Sequence, residues 1–269
     1  SVEGRSAMKK LWDFILNLFT KKEPSSPKPK VLWEENFKSL SLSTAKKIGA
    51  WRSVAEWQPL DRGYEDFAGN SWNVNPNEPG AKSPFSVNDG ILSINCVRRN
   101  DRWEGGILIT EKTFGYGYAE ARIRFPKHGR GMFPAFWMYS AFGSAAHQAN
   151  FELDIMEVSG TPSMVGATVH TLDESFIGDS IELPEYPVID TAWHTYGVDW
   201  QKDSIRFYRD GKLYASTSKA VANRFAGLKM TIRLNYSMDA DWFPVKSDIT
   251  TPDVLTMEVD YVRVTEKIG

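Results

Sequence analysis

Residues Phe151-Glu-Leu-Asp-Ile-Met-Glu-Val-Ser-Gly160 set three carboxylates, Glu152, Asp154 and Glu157, into a run that otherwise reads as a β-strand. Side chains alternate faces along a strand, so Glu152 and Asp154 point one way and Glu157, an odd number of steps on, points the other. A β-bulge adding one residue between Asp154 and Glu157 brings all three to one face. Such crowding is unfavourable as structure, because neighbouring carboxylates repel and raise each other's pKa. It is useful as chemistry, because carboxylates with pKa values pushed apart can divide the roles of nucleophile and general acid. The alternative is three solvated charges on an exposed strand face. The sequence on either side decides between the two.

Outward from this run, short apolar or alternating segments bounded by Gly, Pro, Asn and Asp recur: Gly90–Val97, Gly106–Thr110, Gly117–Phe125, Ala135–Tyr139, Met164–His170, Thr195–Trp200, Ser204–Arg209, Leu228–Asn235 and Thr256–Thr265. Asp210-Gly211 between Ile205–Arg209 and Lys212–Tyr214 is a two-residue hairpin signal. After residue 31 the only helical period falls around Lys219–Phe225. Many strands without intervening helices predict an all-β sandwich or jelly roll, and 269 residues suit one such domain. The formal charge of −2 leaves no basic surplus for phosphates, which excludes nucleic acid as a partner. Ten Trp suit a cleft that stacks flat, amphipathic ligands, with core packing as the alternative use. Cys96, the single cysteine, sits in an apolar run and reads as a buried inert thiol.

The first thirty residues form a separate object. Ser1–Ala7 reads as an expression remnant ahead of Met8, the natural start. Within residues 8–22, Leu11, Trp12, Ile15, Leu18 and Phe19 follow helical spacing, with lysines at both ends. Two readings stand: a helix lying in a membrane interface, and a helix docking on this domain or on a partner. Residues 23–30, with Pro24, Pro27 and Pro29, read as a linker, so the domain is expected to cover residues 31–269.

Six ordered segments resemble glycoside hydrolase family 16. The signature Glu-x-Asp-x-x-Glu is present as Glu152–Glu157, with the Met156 spacing of the bulged, laminarinase-type branch. Gly115–Pro126, Gly131–Met138, Thr168–His170, Trp193–Trp200 and Val259–Val264 are similar to flanking family segments, in the same order. The resemblance runs from about Trp33 to Val264. It implies a β-jelly roll of two curved antiparallel sheets (concanavalin-like) with a saccharide-binding face. It also implies that Glu152 is the nucleophile, Glu157 the acid/base, and Asp154 a group that tunes both. A carboxyl separation of about 5–5.5 Å between the outer pair would give net retention. His170, Trp137 and Trp103 match positions lining the family's cleft, core packing being the other use for the two indoles. Asn235 and Trp242 match its far end, where an amide reads hydroxyls and a ring stacks on a sugar. His194 reads as scaffold. No catalytic cofactor is implied. A structural calcium is, held by the backbone carbonyls of Asn36 and Gly90 with the Asp260 carboxylate.

The substrate expectation follows from two departures. His147-Gln-Ala-Asn-Phe151 stands where a typical laminarinase-like member has Trp-Pro and then Gly, and Phe133 stands where Trp is common. Ser83–Ile94 and the Glu-Leu-Asp version of the signature are similar to members acting on bacterial exopolysaccharides. Arg98, Arg99, Arg102 and Arg130 could meet acidic substituents. The reading is an endo-hydrolase of a β-linked glucan or galactan-type polymer. A transglycosylase on the same polymers and a non-catalytic jelly-roll lectin are the alternatives. The chain is expected to be a monomer acting outside the cell or on its surface.

Overall fold

Ile91–Arg99 buries Leu92, Ile94 and Cys96 and leaves the residues between them half-exposed, the period-two signature of a sheet with one face on a core. The computed structural model repeats this pattern through residues 28–65, 71–140, 150–172, 179–182 and 189–269, which are the residues described. The expected helix at 8–22 and most of the expected linker lie outside them. In chain order the strands are β1 (Val31–Glu35), β2 (Trp51–Arg52), β3 (Tyr64–Glu65), β4 (Ser71–Asn73), β5 (Phe85–Asn88) and β6 (Ile91–Arg99). There follow β7 (Arg102–Thr110), β8 (Gly117–Arg124), β9 (Met132–Ser140), β10 (Asn150–Val158), β11 (Val165–Leu172) and β12 (Asp179–Glu182). The last are β13 (His194–Gln201), β14 (Ser204–Arg209), β15 (Lys212–Ser216), β16 (Met230–Met238) and β17 (Val254–Thr265).

Hydrogen-bonded neighbours sort these strands into two layers. One runs β15-β14-β13-β8-β17-β6-β5, with β1 continuing along the C-terminal half of β17. The other runs β12-β11-β10-β9-β16-β7-β2. Strand β7 joins the layers: its first residues pair with β6, and Gly106–Ile109 pair with β16. The jelly-roll expectation holds, with one difference. Among the described pairs, β4 lies parallel to β7, where a wholly antiparallel pair of sheets was expected. Facing rows of Leu92, Ile94, Ile123, Phe136, Leu153, Val198 and Val259 close the core between the layers.

Local chemistry explains the connections. Asp210 and Gly211, both at positive φ (50° and 71°), make the two-residue turn between β14 and β15, whose twist matches that of the strands it joins. Ser218 caps the short helix Lys219–Arg224 by accepting from the Val221 N–H at 3.3 Å. Cys96 is fully buried, as the apolar run around it implied.

Candidate active site

Strand β10 carries the bulge. Against β9, Asp154 pairs with Trp137 and Met156 with Phe136, so Ile155 and Met156 together oppose one residue. Against β11 the register slips between Asp154 and Glu157. Ile155 and Met156 are both fully buried in the core, and parity after them is reversed. Glu152, Asp154 and Glu157 therefore share the face turned away from the core.

Register places the neighbours on the same face. Glu152 lies between Tyr139 and His170, Asp154 between Trp137 and Thr168, and Glu157 between Ala135 and Gly166. Among the described residues, nothing approaches within 4 Å of where a Cβ on Gly166 would stand, so they leave open space beside the acid position. Across β9, strand β16 adds Arg233 opposite Trp137 and Asn235 opposite Ala135.

The electrostatics follow from this crowding. Burial raises the Glu152 carboxyl well above the ordinary range and the Asp154 charge adds to it, while His170 and Arg233 oppose the rise. Asp154, 2% exposed, is raised by burial and then by Glu157. Glu157 is pushed up to about 8 by burial and by the Glu152 charge. Glu152 and Asp154 share a hydrogen bond, which requires a proton on one of the two oxygens. His170 Nε2 stands 3.1 Å from Asp154 Oδ2. At neutral pH the trio thus retains protons that isolated carboxyls would have lost, and it titrates as a group. Ligand atoms of Glu152, Asp154 and His170 lie within 4.8 Å of one another, a set that could also hold a divalent cation.

The other expected residues divide. Trp137 lies in the site, its Nε1 donating to Asn235 Oδ1 at 2.7 Å. Asn235, 7% exposed, acts on the site through that indole. Trp242 is 62% exposed, with Phe133 and Phe243 edge-on against it at 5.8 Å each. Trp103 packs in the core at 4% exposure and donates to Ser247 Oγ at 3.2 Å, so it braces the segment after Trp242. His194 is held between Asp210 (2.8 Å) and Asp190 (3.0 Å), a scaffold role. Asn36 O comes within 3.5 Å of where a Cβ on Gly90 would stand, and Asp260 Oδ2 takes Arg122 at 2.6 Å.

Sequence reasoning missed Arg233 and Glu56. The guanidinium lies 4.9 Å from the Trp137 ring and 4.6 Å from the Tyr139 ring. It donates to Thr231 Oγ1 at 3.2 Å and to Glu56 Oε1 at 2.7 Å. Alternation from Asn235 could have put Arg233 on the site face. No local signal points to Glu56, which is 177 residues away.

The profile described as Glycosyl hydrolases family 16 matches residues 79–263. The endo-1,3-1,4-beta-glycanase ExsH of Rhizobium meliloti (strain 1021) is 30% identical over 250 residues, covering 78% of this chain and 52% of the relative. Glucan endo-1,3-beta-glucosidase A1 of Niallia circulans is 27% identical over 278 residues, covering 93% of this chain and 39% of the relative. The chain thus spans about half, or less, of the length of these curated relatives. The catalytic domain of an endo-1,3-beta-glucanase (laminarinase) from Thermotoga petrophila RKU-1 superposes with a TM-score of 0.64, over 91% of this chain and 100% of that one. At 23% identity that likeness is one of fold.

Proposed function

Because the chain belongs to glycosyl hydrolase family 16, we propose that it is an endo-acting glycoside hydrolase, cleaving internal β-linkages of a polysaccharide by double displacement with retention. The observation that carries this is the bulge in β10, which collects Glu152, Asp154 and Glu157 on one face with a shared, raised titration. Glu152, in the ionised form that the coupled group reaches as it titrates, attacks the anomeric carbon. Glu157, still protonated near neutral pH, delivers its proton to the departing glycosidic oxygen. The resulting glycosyl-enzyme ester is then hydrolysed by a water that Glu157, now a carboxylate, deprotonates. His170 stands beside Asp154, and Trp137 offers a ring one strand away for a sugar to stack on.

A mixed-linkage β-glucan or a β-linked bacterial exopolysaccharide suits the aromatic site face, and the relatives' names support that class. Such a polymer is met outside the cell or at its surface, where the chain is read as acting as a monomer. A structural calcium held by the Asn36 and Gly90 carbonyls and Asp260 belongs to the same reading. Its role would be confined to stability.

The test is reducing-end release by the full chain from lichenan, laminarin, curdlan, agarose, κ-carrageenan, xyloglucan and succinoglycan-type polymers. Release from at least one, with a fall of at least about three orders of magnitude in Glu152→Gln, is the expected result. Activity retained by Glu152→Gln would refute the assignment of the nucleophile.

A further inference from the structure

Glu56 and Trp57 are the two corners of a turn in which the Gln58 N–H donates to the Ala55 carbonyl at 2.9 Å. Ser53, Val54 and Ala55, which lead into it, are buried, whereas Trp57 is 61% exposed. One exposed hydrophobic side chain means little by itself. What distinguishes Trp57 is where its turn is tied.

Strand register aligns Arg52, Ile109, Arg233, Trp137 and Asp154 in one row across the site face. The chain leaves β2 at Arg52 and by Glu56 has reached Arg233, two strands over. Residues 53–56 therefore cross the face of β7, which accounts for Ile109 being fully buried although it belongs to neither core cluster. At Arg233 the turn stands two strand spacings from the strand of the carboxylates, ~10 Å. Arg233 in this pair is buried and the Glu56 side chain is largely so, 13% exposed. Such pairs are often no more stabilising than apolar replacements, so this one is poorly explained as a source of stability. Its geometric effect is definite: it fixes the turn against the cation that packs on Trp137 and Tyr139.

We propose that the Glu56–Arg233 pair holds Trp57 at the rim of the site as a further sugar-stacking platform, a subsite for a pyranose ring ~10–15 Å from the cleaved bond. The subsite rests on the glycan-hydrolase reading. The row direction makes it a subsite across the strands, while Trp242, held on Phe133, serves the Glu157 end of β9. A ring bound on Trp57 would be reached by a chain extending from the site over Trp137, so long substrates gain and the shortest do not.

The experiment uses the full chain with lichenan and oligosaccharides cut from it. Trp57→Ala is expected to raise KM for lichenan and for long oligosaccharides about tenfold, equal to ~1.4 kcal/mol. The effect should fade with the shortest cleaved oligosaccharide. Trp57→Phe, which keeps a ring, should restore most of the affinity. Glu56→Gln should weaken the same long substrates in the same direction, because the platform loses its tether. Ile249→Ala, at another exposed apolar residue, is the control. Wild-type cleavage with Trp57→Ala matching it at every chain length overturns the subsite and leaves the hydrolase reading intact. A wild type that releases reducing ends from none of the seven polymers overturns both.

Discussion

Replacing Glu157 with Gln isolates what the carboxylate cluster does to folding. The Glu157 carboxyl is pushed from an ordinary 4.5 to about 8 in the folded protein. Between those two values the folded state binds a proton that the unfolded chain has released. Stability from this group is therefore complete below about pH 4.5 and declines as pH rises toward 8. The gap of about 3.5 pH units, at 1.36 kcal/mol each, bounds the loss at about 5 kcal/mol. Glu152 and Asp154 take up part of the same protons, so the share removed with Glu157 alone is expected to be at least one unit's worth, ~1.4 kcal/mol. Glutamine keeps the shape and has no charge to bury. Urea unfolding at pH 4 and pH 8 should then find Glu157→Gln equal to wild type at the lower pH. At the higher pH it should be more stable by ~1.4 kcal/mol or more, or roughly 3–5 °C in Tm for a domain of this size. The same variant should lose activity for want of a proton donor. Parallel pH dependences for the two proteins, or a Glu157→Gln less stable at pH 8, would refute the argument that crowding of buried carboxyls sets the titration.

Strand parity makes a paired prediction at the bulge. Deleting Ile155 restores plain alternation from Glu152 to Glu157 and keeps all three carboxylates on the site face, so some hydrolysis should survive at a stability loss of ~2–5 kcal/mol for the missing core side chain. Inserting Ala after Met156 turns Glu157 toward the core, and a variant that still folds by circular dichroism should be inactive. Equal inactivity in two folded variants would show that parity is not what places Glu157. Asn235→Ala removes the acceptor for Trp137 Nε1 and should raise KM severalfold while costing ~1 kcal/mol in urea unfolding. Asn235→Asp, which retains an acceptor oxygen, should recover most of the affinity.

The parts that were legible in the sequence share one physical basis: period-two patterning carried by the strand itself. The three carboxylates demanded a bulge to share a face, and β10 has it between Asp154 and Glu157. The alternation of Ile91–Arg99 and the Asp210-Gly211 turn needed no tertiary information either. The remainder depended on contacts that patterning does not encode. Strands β2 and β3, two residues each, are too short to show a period. Strand β7 alternates only over its first residues and is buried throughout from Gly105, where it leaves one layer for the other. The family resemblance marked Trp103 as a cleft candidate, yet only the Ser247 bond and the packing around it show that its ring is spent inside. Glu56 lay furthest from view, since its meaning comes from Arg233 across 177 residues. The division has a mechanical reason. Groups that perform the chemistry must hold a fixed relation to one another, and a single strand with one bulge supplies that locally. Groups that receive an extended polymer must be spread over several strands, so the sequence scatters them and only the sheet order reunites them.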